Sequence, residues 1–593
     1  MQDILDDLYR NANKEQNFKK LVRHIISDSN IKLAYRNLKR NKGSSTPGVN
    51  GRDISDIAQK KPKELITYVR NRLKNYIPNK VRREYIEKPD GRKRPLGIPV
   101  IEDRLIQQCI KQILEPICES KFHNHSYGFR SNRSTKDAIA RCMFLVNRVK
   151  MRYTVDIDIK GFFDNVNHSK LLKQLWTMGI KDKNLLQIIK KILRSEVEGE
   201  GIPKQGTPQG GIISPLLSNV VLNEMDWWIS DQWETFETRH NYYSKGNQNA
   251  NLKRNSNLKQ IYLVRYADDF KIFCPDYETA VKTKIAVTKW LKRRLDLEIS
   301  EKKSKITNLK KNYSKFLGIK FKAVKKNNTY VVKSRVDEER VIRVVDKLKS
   351  QIKVIQQETT AKQVRLLNTI ILGLHNYYRV ATHVNVDFNY IGFLFNLILK
   401  NRLDNRISEK SKKVSETYEK FYGKYSYKKK SIAGVTIYPV SGVTTVPPMC
   451  YSQSICNYTT KGREKTHQRL KCVSPDIMNY LSKTFLENET MEFNDNKISK
   501  YAGQYGSCYI SKVPLERDNL IIHRKTPKYK GGTDGYRNLM LITCEVKKLI
   551  HARKRKTIEK YLDKIWNKRI DKKSLKRLNI LRTEVGNDNI EEY

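Results

Sequence analysis

Between residues 261 and 273 the chain reads Ile-Tyr-Leu-Val-Arg-Tyr-Ala-Asp-Asp-Phe-Lys-Ile-Phe, two apolar stretches closing on Tyr266-Ala267-Asp268-Asp269. Each stretch carries β-branched or aromatic residues, the pattern of a β-hairpin that pushes carboxylates out of a buried sheet. Adjacent carboxylates repel, and such a tip is costly unless a cation sits between them. The pattern predicts a divalent-metal site at a strand end.

A third carboxylate lies upstream in Val155-Asp156-Ile157-Asp158-Ile159-Lys160-Gly161-Phe162-Phe163-Asp164. Alternation sets Asp156 and Asp158 on one strand face, with the strand ending at Gly161. Asp158 with Asp268 could hold two Mg2+ ions roughly 3.5–4 Å apart, one activating a 3′-hydroxyl and one clamping a triphosphate. The plainer role for Asp158, capping the following helix, is better filled by Asp164. Between the two acidic segments runs Gln205-Gly-Thr-Pro-Gln-Gly-Gly-Ile-Ile-Ser-Pro-Leu-Leu-Ser-Asn219. Its glycines let backbone approach a ligand, and Ser214-Pro215 suits a helix start.

The formal net charge is +55, from 117 Lys+Arg against 62 Asp+Glu. A surplus of that size repels itself, so a polyanion is the expected partner. Nucleic acid is favoured over an anionic membrane, because no apolar run reaches the ~18–20 residues that span a bilayer. The start, Met1-Gln-Asp-Ile-Leu-Asp-Asp, lacks the basic and apolar regions of a secretory signal. Nine cysteines with no dense framework fit a reducing compartment. A cytoplasmic protein is expected.

Up to about residue 325, strand-like and helical segments alternate, with turns at Pro89-Asp-Gly91 and Gly206–Gly211. From about 335 to 408 the pattern is helical. Val341, Val344, Val345, Leu348, Ile352 and Ile355 form one apolar face, and two further helices are expected at about 362–383 and 388–402. Residues 401–430 hold ten Lys/Arg against four Asp/Glu, suited to phosphates or solvent. Pro439, Pro447 and Pro448 mark a loop-rich passage before a small module at about 498–552 and a basic helical tail. The polar stretch 239–260 reads as a flexible insertion.

Ordered along the chain are Asn41–Gly51, Tyr85–Pro99, Tyr127–Ser134, Asp158–Asp164, Gly206–Asn219, Tyr266–Asp269, Leu297–Ile306 and Phe316–Ile319. This series resembles the group II intron-encoded reverse transcriptases/maturases. The resemblance implies an α+β, right-hand polymerase fold with fingers and a ferredoxin-like palm. An α-helical thumb/maturase bundle, marked by Gly373-Leu-His-Asn-Tyr-Tyr378, and a small basic C-terminal module would follow. The implied blocks are 1–80 (N-terminal extension and start of fingers), 81–325 (fingers/palm), 326–410 (thumb, or maturase domain X), 411–497 (basic DNA-binding region/linker), 498–560 (HNH-like module) and 561–593 (basic tail).

Asp158 and Asp268 are then the main ligands of two Mg2+ ions, and Asp269 a weaker one. Phe163 matches the bulky position that blocks a ribose 2′-hydroxyl, Lys88 and Arg94 the cations facing the triphosphate, and Gln209 the residue against the nucleotide sugar. Lys303 matches a proton donor to pyrophosphate. For the Tyr377–Tyr378 pair, core packing is favoured over base stacking. Intron RNA, target DNA and dNTPs are the implied partners, with monomer and RNA-bound homodimer both open. The implied location is bacterial cytoplasm, at the nucleoid when DNA is bound, with an organellar origin also open.

The last module resembles an HNH endonuclease through Ile498–Cys508, His523-Arg524, Gly531–Asp534, Asn538 and Leu549–His551. Such a site needs a His-His pair and a later metal-binding His, but Arg524 takes the second place of the pair and Lys547 the later one. Arginine cannot accept a proton near neutral pH, and an ammonium repels a cation. Cys508 has Ser511 where a Cys-x-x-Cys partner would stand, and Cys450, Cys456 and Cys544 do not complete a zinc set. A folded, nuclease-dead module that binds DNA without zinc is expected. The leading function is RNA-directed DNA polymerase plus splicing maturase. The rivals are a maturase with vestigial polymerase activity and a retron or diversity-generating reverse transcriptase. A bulky Phe163 argues against an RNA-dependent RNA polymerase.

Overall fold

The computed structural model describes every residue except 88–90, 92, 410–413, 425, 427, 468–472, 568 and 592–593. The chain is α+β. Its strands in order are β1 (Arg82–Glu87), β2 (Lys93–Ile98), β3 (Tyr153–Ile157), β4 (Tyr262–Tyr266), β5 (Asp269–Cys274), β6 (Lys305–Asn308), β7 (Ser314–Phe316), β8 (Ile319–Lys326), β9 (Thr329–Val336), β10 (Ser431–Ile432), β11 (Val435–Thr436), β12 (Leu520–Arg524) and β13 (Leu539–Thr543). They form an antiparallel four-stranded sheet β4-β5-β3-β6, a three-stranded sheet β7-β8-β9, and the hairpins or pairs β1-β2, β10-β11 and β12-β13. Among the described residues no helix is long and apolar enough to cross a membrane.

Two compact units cut across the sequence blocks. The first joins residues 1–121, 168–217 and 454–593; the second joins 122–167 and 218–453.

In the first unit the C-terminal segment is fastened to the N-terminal helices. Arg36, on helix Asp28–Lys39, pairs with Asp495 on helix Met491–Gly503 at 2.7 Å. Lys39 Nζ donates to Asn496 Oδ1 at 2.9 Å and the Met491 N–H to the Lys60 carbonyl at 2.9 Å. Asp6 takes both guanidinium nitrogens of Arg463, at 2.7 and 2.8 Å. Asp495 is nearly fully buried, so Arg36 answers a charge that would otherwise be costly.

The second unit is built on the four-stranded sheet. Strands β4 and β5 are buried along almost their whole length, which is why their sequences read as continuous apolar runs rather than alternating ones. Helix Tyr277–Trp290 packs on β3 and β5, and helix Thr135–Asn147 on β4. The three helices Glu338–Gln357, Ala361–Tyr378 and Val384–Leu403 match the helical expectation closely. Of the proposed apolar face, Val344, Leu348, Ile352 and Ile355 are buried.

The motif Gly373–Tyr378 is largely a packing device. His375 is buried; its Nδ1 accepts from the Tyr422 hydroxyl at 2.9 Å, and its Nε2 meets the Val440 carbonyl at 2.8 Å. Burial pushes its pKa down to about 4, so the ring is neutral and donates to that carbonyl. Tyr378 is in the core and Tyr377 is 37% exposed. Asn368 holds the same segment through the Thr436 carbonyl and the Tyr438 N–H, both at 2.8 Å.

Two expectations need correction. The stretch 239–260 is not featureless: Lys245–Asn255 is a helix whose N-cap, Ser244, accepts from the Asn247 N–H. Its polar composition hid a local cap that the backbone uses. Asp164 does not cap the helix after β3. It lies inside a 3-10 turn, Phe162–Asp164, and the helix begins only at His168.

Candidate active site

The hairpin forms as expected. Strands β4 and β5 pair with Tyr266 opposite Asp269, leaving Ala267 and Asp268 as a two-residue turn in which Ala267 takes φ +58°. Strand β3 pairs with β5 so that Ile157 faces Phe270. The regular ladder of β3 stops there, four residues before Gly161, and the next step of the same register brings Asp158 opposite Asp269. Carboxylates 111 positions apart along the chain thus come to one sheet end.

The electrostatics show the crowding. Desolvation raises the Asp269 carboxyl to about 6; the Lys271 ammonium opposes this, and the carboxylates of Asp156, Asp268 and Asp158 add to it. Its outer edge remains exposed to solvent. Lys303 lies at the site as well, its Nζ 3.3 Å from Asp158 Oδ2. Among the described residues no three Asp, Glu, His or Cys side chains are gathered tightly enough to coordinate an ion as they stand. The donor chemistry nevertheless fits a hard divalent cation, since three carboxylates repel one another at an open sheet end.

Asp156 is not part of that cluster's open edge. It pairs with the buried Lys271 at 2.6 Å, and Ser314 accepts from the same ammonium at 2.8 Å. Phe163 follows Gly161, whose φ of +55° turns the chain out of the strand, and stands half-buried against Phe162 with ring centroids 5.3 Å apart.

Beneath the acidic turn lies a support that sequence reasoning missed. Arg265, fully buried on β4, donates to Asp226 through Nε at 2.7 Å and Nη2 at 2.6 Å. Its Nη1 reaches both Asn219 Oδ1 and the Ala267 carbonyl at 2.8 Å. Asn219 in turn donates to the Gly128 carbonyl at 2.9 Å. A Cβ on Gly128 would come within 2.2 Å of the Ala267 nitrogen, so only glycine lets that backbone seat the turn. The available signal was a single arginine in an otherwise apolar strand, and likewise Lys271 in the next one.

Two of the nucleotide-binding candidates, Arg94 and Gln209, belong to the first unit. Arg94 is exposed on β2, and Gln209 is half-buried in the glycine-rich loop. Gly97 on β2 donates its N–H to the Gln209 carbonyl at 2.8 Å. A Cβ on Gly210, at φ +122°, would lie 2.5 Å from the Gly97 oxygen, so strand and loop meet backbone to backbone. Helix Ser214–Asp231 starts where Ser214-Pro215 suggested, with Ser214 Oγ donating to the Pro208 carbonyl at 2.8 Å. Lys88 lies outside the described residues. The structure thus gathers Arg94 and Gln209 in one unit, and Asp158, Phe163, Asp268, Asp269 and Lys303 in the other.

In the C-terminal segment, antiparallel β12 and β13 lead into helix Cys544–His551. Arg524 donates to Asp534 Oδ1 at 2.8 Å and Glu489 Oε2 at 2.6 Å, and covers the Phe493 ring at 4.3 Å. Asn538 pins its own loop, donating to the Thr526 and Thr533 carbonyls at 2.9 and 2.8 Å. Cys508 is a core residue beside Ile510 and Met540. His523 and His551 meet with ring centroids 6.0 Å apart.

Comparison with known proteins agrees with this geometry. The family described as reverse transcriptase (RNA-dependent DNA polymerase) matches residues 86–321. The group II intron-encoded protein LtrA of Lactococcus lactis subsp. cremoris is 31% identical over 467 residues, covering 66% of this chain and 76% of that protein. Protein YkfC of Escherichia coli (strain K12) is 30% identical over 370 residues, covering 60% and 94%. Nuclear intron maturase 2, mitochondrial, of Arabidopsis thaliana is 25% identical over 178 residues, covering 23% and 24%.

Proposed function

The chain belongs to the group II intron-encoded reverse transcriptase/maturase family, and on that premise we propose how its residues divide the work. It is an RNA-directed DNA polymerase of right-hand fold and an intron maturase. In this reading it copies intron RNA into DNA and binds that RNA to promote folding and splicing.

Asp158 and Asp268, with Asp269 as the weaker member, would hold two Mg2+ ions, which when bound activate the primer 3′-hydroxyl and neutralise the triphosphate. Lys303, 3.3 Å from Asp158, would give a proton to departing pyrophosphate. Phe163 excludes a ribose 2′-hydroxyl by collision. Arg94, with Lys88, meets the triphosphate charge, and Gln209 lies against the sugar. The helices 338–403 present basic faces to intron RNA, recognised through shape and 2′-hydroxyls with strong salt dependence. The C-terminal segment is read as an HNH-like ββα module that binds target DNA and does not cut it, because Arg524 is engaged as a structural ion pair.

The observation that carries the polymerase assignment is the β3–β5 register, which supports the meeting of Asp158 with the 268–269 turn. Asp268→Ala combined with Asp269→Ala is expected to abolish cDNA synthesis and leave splicing intact. Equal loss of splicing in a folded double variant would reject separate polymerase and maturase parts.

A further inference from the structure

The C-terminal ββα arrangement has one pole that its packing does not explain. Arg524 and Asn538 are engaged in the contacts given above. His523 is different: it is 8% exposed on β12, and its Nε2 has no hydrogen-bond partner among the described residues. A buried ring nitrogen left without a partner is costly, and a ligand atom would satisfy it.

His551 stands beside it, exposed, its ring nearly perpendicular at 74°. Lys547 precedes His551 by one helical turn and so shares its helix face. Its ammonium acts on both rings: burial, then His551 and Lys547, lower the His523 pKa to about 4, and burial, then Lys547, lowers that of His551. Two neutral imidazoles each offer an N–H donor, and the lysine offers a full positive charge. That donor set suits an anionic oxygen. It does not suit a metal ion, because a protonated lysine has no lone pair to give.

We propose that His523, Lys547 and His551 form a metal-free site for one backbone phosphate of duplex DNA, with the lysine supplying the positive charge. This rests on the reading of the segment as an HNH-like DNA-binding module, and it names what that module grips. Duplex DNA is preferred to RNA because the segment is read above as the target-DNA-binding part of the chain.

The test uses the full-length protein in EDTA. Carbethoxylation of His551 by diethyl pyrocarbonate is followed by mass spectrometry, with and without a short mixed-sequence DNA duplex. The duplex should shield His551. Lys547→Ala should remove that shielding and lower the slope of log affinity against log salt by about one. Lys547→Arg should retain the shielding, which separates loss of charge from misfolding. Shielding that appears only after adding Zn2+ or Mn2+ would overturn the proposal, and so would shielding by RNA but not by DNA. If other peptides of 498–551 are shielded and His551 is not, the phosphate site fails while the DNA-binding module stands. If no peptide of the module is shielded, both fail.

Discussion

Arg265→Lys is the substitution that most directly tests how the acidic turn is held. The guanidinium serves Asp226, Asn219 and the Ala267 carbonyl at once, and both Arg265 and Asp226 are fully buried. A lysine can follow Asp226, but its single ammonium cannot also reach the other two acceptors. Two buried oxygens left unpaired cost ~2 kcal/mol each, or ~4 kcal/mol together. In a unit of this size that lowers the melting temperature by ~8 °C. The loosened Ala267 carbonyl lets Asp268 shift, and a displacement of ~1 Å at reacting groups can cost ~100-fold in rate. Differential scanning fluorimetry and primer extension on an RNA template, with RNA binding measured alongside, give the three readouts. Melting within ~1 °C of wild type and extension within about twofold would refute the reasoning. The pair Arg265→Met with Asp226→Leu sharpens it. An apolar replacement of a buried ion pair is often neutral or stabilising, but Asn219 Oδ1 and the Ala267 carbonyl stay unpaired in it, so melting temperature and extension should both remain low. Recovery of both would mean that the bond to Ala267 is not what fixes the turn.

Asp269 gives a pH dependence. Its folded pKa is raised, so it binds a proton more tightly in the folded than in the unfolded chain, and its charge weighs against the fold above about pH 6. Cation binding needs the ionised form, so the Mg2+ concentration for half-maximal extension should rise as pH falls through about 6; a flat dependence would exclude Asp269 from the site. Phe163→Ala should increase ribonucleotide incorporation relative to deoxyribonucleotide by roughly tenfold or more, measured as competing extension products. Arg524→Ala should destabilise the C-terminal segment by about 2 kcal/mol, since it leaves Glu489 with Lys528 alone and Asp534 with Lys528 and the Thr490 hydroxyl. Faster hydrogen exchange across 520–551, with no gain of DNA nicking, is the expected signature.

Local patterns were legible in the sequence wherever neighbours along the chain decide the structure. The 261–273 hairpin, the three helices of 338–403 and the helix start at Ser214 all follow from periodicity and cap chemistry within a few residues. What could not be read depends on partners far away. Asp226 lies 39 positions from Arg265, and the pairing of Lys271 with Asp156 spans 115; a buried cation looks like an exposed one until its counter-ion is known. Asp164 looked like a cap because aspartate favours that role, but the glycine at 161 tightened the chain into a 3-10 turn first. The convergence of Asp158 with the turn was inferred from chemistry, and the β3–β5 register supplies the geometry.

The first unit draws its chain from three separate stretches, and this orders events at the ribosome. Arg36 and its partner Asp495 are 459 positions apart. At ~5–20 residues per second, the opening helices wait ~25–90 s for their counter-charges to be synthesised. A reading frame cut short before residue 454 therefore does not yield a polymerase that merely lacks a tail. It yields a product whose first helices leave Arg36, Lys39 and Asp6 without the partners that Asp495, Asn496 and Arg463 supply.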